Sequence, residues 1–228
     1  KGTIMSNVTE TIAQQVATMH ASRADQPMDD AMRAWAAEQA QLEAAGVPPT
    51  VAIPGSIFPD GDLLDVDGNP TTLTGERAAR PAVVVFYRGD WCPYCNLTLR
   101  TYQQQLLPVL SEREIALIAI SPQKPDGSLS IQEKNDLTFT VLSDPGNQIA
   151  SQLGILNPER SEAVRNAAAS YGLDVAGGNA DGTDALPMPT TAIVDANGTL
   201  RWIDVHPNYT TRSEPETILA AIKATIDR

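Results

Sequence analysis

Downstream of residue 80, the chain alternates short apolar runs with longer mixed segments. Four runs are rich in Val, Ile, Leu, Phe or Ala and lie at residues 82–87, 116–121, 138–142 and 191–195. Apolar runs of this length, bounded by Gly, Pro or polar residues, predict strands buried on both faces of a sheet. The turn Ala196-Asn197-Gly198 and residues 200–205 then predict a closing hairpin.

The segments between these runs carry apolar residues at helical spacing. Residues 96–109 have such a pattern and predict a helix directly after the first strand. Residues 147–153 predict a short helix, and residues 214–226, started by Ser213 and Pro215, predict the last one. Alternating strands and helices predict an α/β fold, in which a central mixed sheet is covered by helices on both faces.

The first 48 residues are predicted to form a helical extension of the main domain, which spans residues 49–228. Residues 7–45 are rich in Ala, Gln and Glu, with a break near Pro27, and predict two helices. Their second half carries an apolar stripe of Met28, Met32, Trp35 and Leu42. We expect this face to pack against the sheet or against the second subunit of a homodimer. Lys1 to Ile4, ahead of Met5, are interpreted as residues left by cloning.

The charge balance disfavours two classes of partner. The chain has 28 acidic and 16 basic residues and a formal net charge of −12. Such a charge repels nucleic acid phosphates and anionic membrane surfaces. The sequence contains no apolar stretch of about 18 residues and no signal peptide pattern. These features predict a cytoplasmic protein that binds neither nucleic acid nor membrane.

Cys92 and Cys95, the only cysteines, form a C-x-x-C motif between the first strand and the following helix. Pro93 suits the first helical position, because its missing N–H has no partner there. This places Cys92 at the N-cap and Cys95 in the first turn, where the helix dipole lowers the pKa of both thiols. Two thiols so close predict a reversible disulfide, and in a reducing compartment they favour catalysis over structural cross-linking.

Other uses of a C-x-x-C motif require residues that this chain lacks. A tetrahedral zinc site needs four ligands, and the only further candidates among histidines, His20 and His206, lie far away in the sequence. A four-cysteine iron–sulfur cluster lacks two ligands, and covalent haem attachment would need His where Asn96 stands. We therefore expect neither a metal nor an organic cofactor.

With the pair placed at this turn, residues 54–226 resemble the peroxiredoxin-like branch of the AhpC/TSA (alkyl hydroperoxide reductase and thiol-specific antioxidant) family. The resemblance is carried by five segments: Pro54-Gly55-Ser56-Ile57-Phe58-Pro59-Asp60, Trp91 to Arg100, Ile118-Ala119-Ile120-Ser121, Leu142-Ser143-Asp144-Pro145 and Thr191 to Gly198. It implies a thioredoxin-like fold of the peroxiredoxin type and an antioxidant thiol peroxidase that needs no cofactor.

The chain also departs from this family pattern. The family's Pro, Thr or Ser, and peroxidatic Cys correspond to Arg88, Cys92 and Cys95, so only the peroxidatic Cys is kept. The family's peroxide-positioning Arg corresponds to Pro189, and Met188-Pro189-Thr190 instead resembles the cis-proline segment of thioredoxins. The resemblance thus implies that Cys95 is peroxidatic, and it predicts a cis Pro189 beside the sulfur pair.

Three functions remain open at this point. In a thiol peroxidase, Cys95 attacks a hydroperoxide, Cys92 resolves the sulfenic acid and a thioredoxin-type reductant restores the dithiol. In a protein thiol–disulfide oxidoreductase, Cys92 attacks a disulfide substrate and Cys95 resolves. The third function is a redox-sensing interaction protein.

Several residues near the pair are candidates for supporting roles. Arg88 is interpreted either as a source of positive charge or as a solvated loop residue. Tyr87, Trp91 and Tyr94 are expected to shape and dry a pocket. Arg212 can reach the site only if its loop folds back.

Overall fold

The computed structural model describes residues 10–227 and contains one seven-stranded sheet. Its strands are β1 (Leu63–Leu64), β2 (Pro70–Thr71), β3 (Ala82–Phe86), β4 (Ala116–Ser121), β5 (Thr140–Ser143), β6 (Thr190–Val194) and β7 (Leu200–Val205). The sheet order is β2-β1-β5-β4-β3-β6-β7. Strands β3, β4 and β5 pair in parallel, whereas β6 pairs antiparallel with both β3 and β7. The predicted mixed sheet and its closing hairpin are therefore confirmed.

Ten α-helices and one π-helical segment surround this sheet in the described part of the chain. They are α1 (Ile12–Ala21), α2 (Asp30–Ala45), α3 (Leu73–Arg77), α4 (Pro93–Thr101), the π segment (Tyr102–Leu106), α5 (Leu107–Glu112), α6 (Pro125–Lys134), α7 (Gln148–Gln152), α8 (Glu162–Ser170), α9 (Val175–Gly178) and α10 (Pro215–Thr225). None of these helices is long and apolar enough to cross a membrane.

Helices cover both faces of the sheet because the central strands are apolar on both sides. Val83 and Val85 of β3 join one buried cluster, which also contains side chains of α1, α4 and α10. Val84 and Phe86 point the other way, into a second cluster with α3 and α7. The uninterrupted apolar run of β3 thus reflects two-sided burial, as expected for a central strand.

The helix that follows β3 is longer than predicted and is widened in its middle. Residues 93–112 are helical throughout, but Tyr102–Leu106 is a π segment in which the Leu107 N–H donates to the Tyr102 carbonyl. Pro108 has no N–H and its ring crowds the preceding turn, so an ordinary helix cannot continue through it unchanged. The start of this helix at Pro93 is the feature that positions the cysteines.

The two predicted N-terminal helices are present, but the predicted apolar stripe is only partly right. Met28 lies before the helix N-cap, Asp29, and is 58% exposed, so the prediction that it is buried is wrong. Met32, Trp35 and Leu42 are half-buried on α2, which packs against α8. The division at residue 48 stays a prediction, and the interpretation of Lys1 to Ile4 lies outside the described residues.

Candidate active site

Cys92 and Cys95 lie at the positions that the sequence predicts. Cys92 is the N-cap of α4, Pro93 is its first residue, and the Cys95 N–H lies 3.1 Å from the Cys92 carbonyl oxygen. Both cysteines are free thiols with 0% exposure. The strand-to-helix turn therefore holds the pair in a buried position at the positive end of a nine-residue helix.

The turn before Cys92 is held by polar side chains from neighbouring elements. The Asn96 amide donates to the carbonyl oxygens of Asp90, at 2.7 Å, and Cys92, at 2.9 Å. Gln123, which follows β4, accepts from the Asp90 N–H and donates to the Asp90 carboxylate, both at 2.7 Å. These contacts fix the backbone of the turn before any substrate binds.

Two donors point at the Cys95 sulfur. The Nη2 of Arg212 lies 3.2 Å from Sγ, and the backbone N–H of Arg88 lies 3.5 Å from it. Arg212 is itself held by the carbonyl oxygens of Tyr209 and Thr211, each 2.6 Å from Nη1. The loop before α10 thus folds back onto the sulfur pair, which the sequence alone could not show.

The pKa values of the two thiols are shifted in opposite directions. Burial is the strongest influence on both and opposes ionisation, but at Cys95 it is outweighed by the hydrogen bond from Cys92, the charge of Arg212 and the Arg88 N–H. Together they lower the pKa of Cys95 to about 5. At Cys92, burial and the adjacent Cys95 sulfur raise the pKa. The expectation that the helix dipole acidifies both thiols is therefore wrong for Cys92, because a second negative charge beside the first is disfavoured.

A polar network fixes the loop that carries Arg212. The Asp204 carboxylate accepts from Ser213 Oγ at 2.7 Å, and the same oxygen lies 3.0 Å from Nε2 of His206. The Tyr102 hydroxyl, at the start of the π segment, donates to the Ser213 carbonyl at 2.6 Å. His206 therefore orders this loop. Within residues 10–227, no group of three or more His, Cys, Asp or Glu side chains is placed to hold a metal ion.

A pocket of about 550 Å³ lies beside the turn. Its lining consists of Trp35, Arg88, Trp91, Pro93, Tyr94, Arg160, Tyr171, Gly172, Leu173 and Tyr209. Arg88 is only 6% exposed, and its guanidinium carbon lies 5.0 Å from the Trp91 ring centroid and 4.1 Å from that of Tyr209. Arg88 is thus a buried, ring-stacked cation and not a solvated loop residue.

The N-terminal helices contact this pocket, and Trp35 of α2 is part of its lining. The Tyr209 N–H donates to the Gln39 side chain at 3.0 Å, and the Tyr209 hydroxyl donates to the Trp35 carbonyl at 3.3 Å. The ring centroids of Trp35 and Tyr171 are 5.1 Å apart, and Nε2 of His20 lies 2.9 Å from the Tyr94 hydroxyl. Helix α2 therefore covers the site, in addition to packing on α8.

Neither Tyr87 nor Pro189 lines the pocket. Tyr87 is buried, and this burial raises the pKa of its hydroxyl. No peptide bond in the described residues is cis, so the expectation of a cis Met188–Pro189 bond is wrong. The Met188 N–H donates to the Ile155 carbonyl and the Pro189 carbonyl accepts from the His206 N–H, so hydrogen bonds on both sides hold this segment as it enters β6. The expected position of Pro189 beside the sulfur pair stays a prediction.

Comparison with known proteins connects this site to a family. The model of the AhpC/TSA family matches residues 54–203. The chloroplastic peroxiredoxin Q of Gentiana triflora is 28% identical over 162 residues, which cover 71% of this chain and 61% of that protein. The thiol-disulfide oxidoreductase ResA of Geobacillus thermodenitrificans is 26% identical over 155 residues, which cover 68% of this chain and 70% of that one.

The solved structures agree on the fold. A peroxiredoxin-like protein from Aquifex aeolicus superimposes with a TM-score of 0.59 at 14% identity, covering 78% of this chain and 90% of the other. The fold is therefore thioredoxin-like and of the peroxiredoxin type, as the resemblance implied. Among the curated relatives, the chain spans 61% of the gentian peroxiredoxin and 63% of a mycobacterial one.

Proposed function

The chain belongs to the AhpC/TSA family, and we propose that it is a thiol peroxidase in which Cys95 attacks a hydroperoxide and Cys92 resolves the product. The observation that supports this proposal most directly is the environment of the Cys95 sulfur, which accepts hydrogen bonds from the Arg212 side chain and the Arg88 N–H. These donors favour the thiolate, which is the form that attacks. The neighbouring thiol of Cys92 stays protonated and is free to act second.

In the first step, the Cys95 thiolate attacks the outer oxygen of the hydroperoxide. The O–O bond breaks, the sulfur keeps the OH as a sulfenic acid, and the departing alkoxide takes a proton and leaves as an alcohol. Arg212 stabilises the charge that develops as this bond breaks. It replaces the family arginine that is missing at Pro189, and the Cys92 thiol replaces the missing hydroxyl donor.

In the second step, the Cys92 sulfur attacks the sulfenic acid. A disulfide forms between Cys92 and Cys95, and the OH leaves as water with the proton of the Cys92 thiol. A thioredoxin-type dithiol then reduces the disulfide by exchange and is itself oxidised. The short C-x-x-C spacing supports this intramolecular resolution, since both cysteines lie in one helical turn.

Protein disulfide exchange is the second candidate function. Trp91 and Pro93, the neighbours of Cys92, line the pocket, as does Tyr94, the neighbour of Cys95, whereas neither cysteine lines it. In this function Cys92, at the helix N-cap, would meet the protein disulfide first, as in the thioredoxin order. The raised pKa of Cys92 disfavours this order, because a buried protonated thiol is a poor nucleophile.

Two single substitutions distinguish these orders. Cys92→Ser is expected to form a sulfenic acid at Cys95 with hydrogen peroxide, whereas Cys95→Ser is expected to form none at Cys92 at a comparable rate. The measurement is labelling with a sulfenic acid probe, followed by mass spectrometry. Labelling of Cys92 in Cys95→Ser, and of nothing in Cys92→Ser, would reverse the assignment.

A steady-state assay separates the candidate functions themselves. Hydrogen peroxide, an organic hydroperoxide and a protein disulfide are each supplied with the same thioredoxin system. We expect turnover of the peroxides to exceed that of the disulfide. Turnover of the disulfide alone would support the second function, and turnover of none of them would support the redox-sensing role.

The location and assembly of the protein are also proposals. A cytoplasmic location suits a dithiol enzyme, because that compartment keeps cysteines reduced. A homodimer would bury the part of the α2 surface that is still exposed. Light scattering of the purified protein measures its mass and so tests this assembly. We propose no nucleic acid or membrane partner, since the net charge of −12 opposes both.

A further inference from the structure

The pocket beside the turn holds two buried cations that the fold does not pair. Arg88 is 6% exposed and Arg160 is 7% exposed, and the Nε of each is buried without a hydrogen-bond partner. Within residues 10–227, neither guanidinium forms a hydrogen bond or an ion pair. A buried charge without a partner is costly, so two of them lining one pocket favour an anionic ligand.

The acids near these arginines do not cancel their charge. Glu38 of α2 faces both guanidinium groups, but its burial raises the pKa of its carboxyl against their influence. Asp184, the other nearby acid, lies 3.6 Å from Arg165. Neither acid lines the pocket, whose charged lining residues are Arg88 and Arg160, in a chain whose net charge is −12. The pocket is locally positive on an acidic protein, and this attracts anions.

Helix stability does not explain Arg160. It directly precedes Ser161, the N-cap of α8, where the helix dipole is positive and a cation is unfavourable. Arg88 faces the pocket with its side chain while its backbone N–H donates to the Cys95 sulfur. The anion site is thus directly connected to the reacting sulfur.

The remaining walls are aromatic. Two of the three tryptophans and three of the five tyrosines of the chain line the pocket. Its volume of about 550 Å³ falls within the range of small-molecule sites. Trp35 and Tyr209 lie outside residues 54–203, the part that matches the family. These walls fit a flat aromatic ligand, and part of them lies outside the segment that the family model matches.

We propose that this pocket selects the substrate, and that the selected class is organic hydroperoxides that carry both an aromatic ring and a carboxylate. The proposal rests on the proposed thiol peroxidase function. The carboxylate pairs with Arg160, the ring packs between the aromatic walls, and the hydroperoxide faces the turn. The chemical step is the one given above, and the carboxylate takes no part in it. Both sulfurs are buried and neither lines the pocket, so the proposal requires a wall side chain to move aside for the attack.

Binding is tested first, without any reaction. The probes are 4-isopropylbenzoate and its neutral amide, and the signal is tryptophan fluorescence, because Trp35 and Trp91 line the pocket. We expect the carboxylate to bind at least tenfold more tightly than the amide. Arg160→Met should remove this difference, Arg160→Lys should restore part of it, and Arg201→Met, an exposed control on β7, should leave it intact. Equal binding of the two probes, or binding of neither, would overturn the proposal.

Turnover is tested with a matched pair of hydroperoxides, cumene hydroperoxide and its para-carboxylate. We expect kcat/KM to favour the carboxylate about tenfold, through KM, and Arg160→Met to reduce this preference. Equal kcat/KM values would overturn the substrate class while leaving the peroxidase function in place. If no hydroperoxide turns over, including hydrogen peroxide, the peroxidase function fails and the substrate class with it, whereas the binding experiment still decides whether the pocket holds anions.

Discussion

The turn before α4 and the loop before α10 each bring one arginine to Cys95, but in different ways. The turn offers the backbone N–H of Arg88, which is seven residues from Cys95, whereas the loop offers the side chain of Arg212, which is 117 residues away. The turn is specified mainly by its local sequence, with Gln123 from the segment after β4 holding Asp90. The loop needs Asp204, Ser213 and Tyr102 to hold it in place.

This difference separates the element that positions the sulfur from the element that supplies the positive charge beside it. The strand-to-helix turn places a sulfur at a helix N-terminus, which many proteins with this fold can do. The remote loop supplies a full positive charge beside the sulfur, which together with the hydrogen bond from Cys92 favours a thiolate in a buried site. A backbone N–H carries only a partial charge, so we expect the two contributions to differ in size.

Removing the loop's contribution should have the largest effect. Arg212→Met takes away the cation that faces the thiolate and the developing negative charge. We expect kcat/KM for hydrogen peroxide to fall by about 100- to 1000-fold, as when a single anion-stabilising donor is removed from other enzymes. Stopped-flow measurement of the oxidation step gives this rate without interference from the reductant.

Two controls accompany Arg212→Met. Arg212→Lys keeps the charge and loses the forked geometry, so it should recover part of the rate. Arg100→Met removes an exposed arginine from the same active-site helix and should change little. An Arg212→Met protein that is folded and as fast as the original would show that the turn alone is sufficient.

The pH dependence sharpens the same comparison. The pKa of Cys95 is lowered to about 5, and the thiolate is the reacting form. The rate should therefore stay level from about pH 6 to 8. Below about pH 5 it should fall with decreasing pH, by up to about tenfold per pH unit. In Arg212→Met the fall should begin at higher pH. Ultraviolet absorbance of the thiolate follows the same ionisation independently, and a midpoint near the usual cysteine value in the original protein would contradict the assignment.

The sequence predicted the turn well because its determinants are local. A strand, Pro93 and two cysteines within one helical turn specify the N-cap position without help from other segments. The acidity of the pair was not predictable in the same way, since the raised pKa of Cys92 depends on burial and on the charge of Cys95. The position at the helix N-terminus alone predicted a lowered pKa for both thiols, whereas in the folded protein only the pKa of Cys95 is lowered.

The long-range contacts that cover the site could not be predicted from the sequence. Arg88 lies in a turn, where an arginine is usually solvated, but it is buried by stacking on Trp91 and on Tyr209, which comes from the far end of the chain. Met28 lies at helical spacing with Met32 but precedes the N-cap, so the periodic pattern in the sequence begins before the helix does. Long-range contacts of this kind leave no periodic signal in a single sequence.

A smaller effect is expected from the side chain that the turn contributes. Arg88→Met keeps the backbone N–H that reaches Cys95 and loses only the ring-stacked guanidinium, which is farther from the sulfur. We expect about a tenfold loss of kcat/KM for hydrogen peroxide and a smaller rise in the pKa of Cys95 than in Arg212→Met. Thiolate absorbance and oxidation rates measured side by side give the ranking. A larger effect from Arg88 than from Arg212 would reverse the comparison.

The smallest predicted effect concerns how the loop region is joined to the N-terminal helices. Glu214, which precedes α10, accepts hydrogen bonds from the N–H groups of Ile12 and Ala13, each at 2.9 Å, and so caps α1. Glu214→Gln removes the charge and one acceptor from a helix N-terminus, where a carboxylate is favourable. We expect the free energy of unfolding to fall by about 1 kcal/mol in denaturant titrations. Glu43→Gln, at an exposed position of α2, is the matched control and should leave stability unchanged. Since Ile12 packs in the same cluster as both cysteines, looser capping should also raise the rate at which iodoacetamide alkylates the Cys95 thiolate. Equal stability and equal alkylation in both variants would show that α1 is held by its apolar contacts alone.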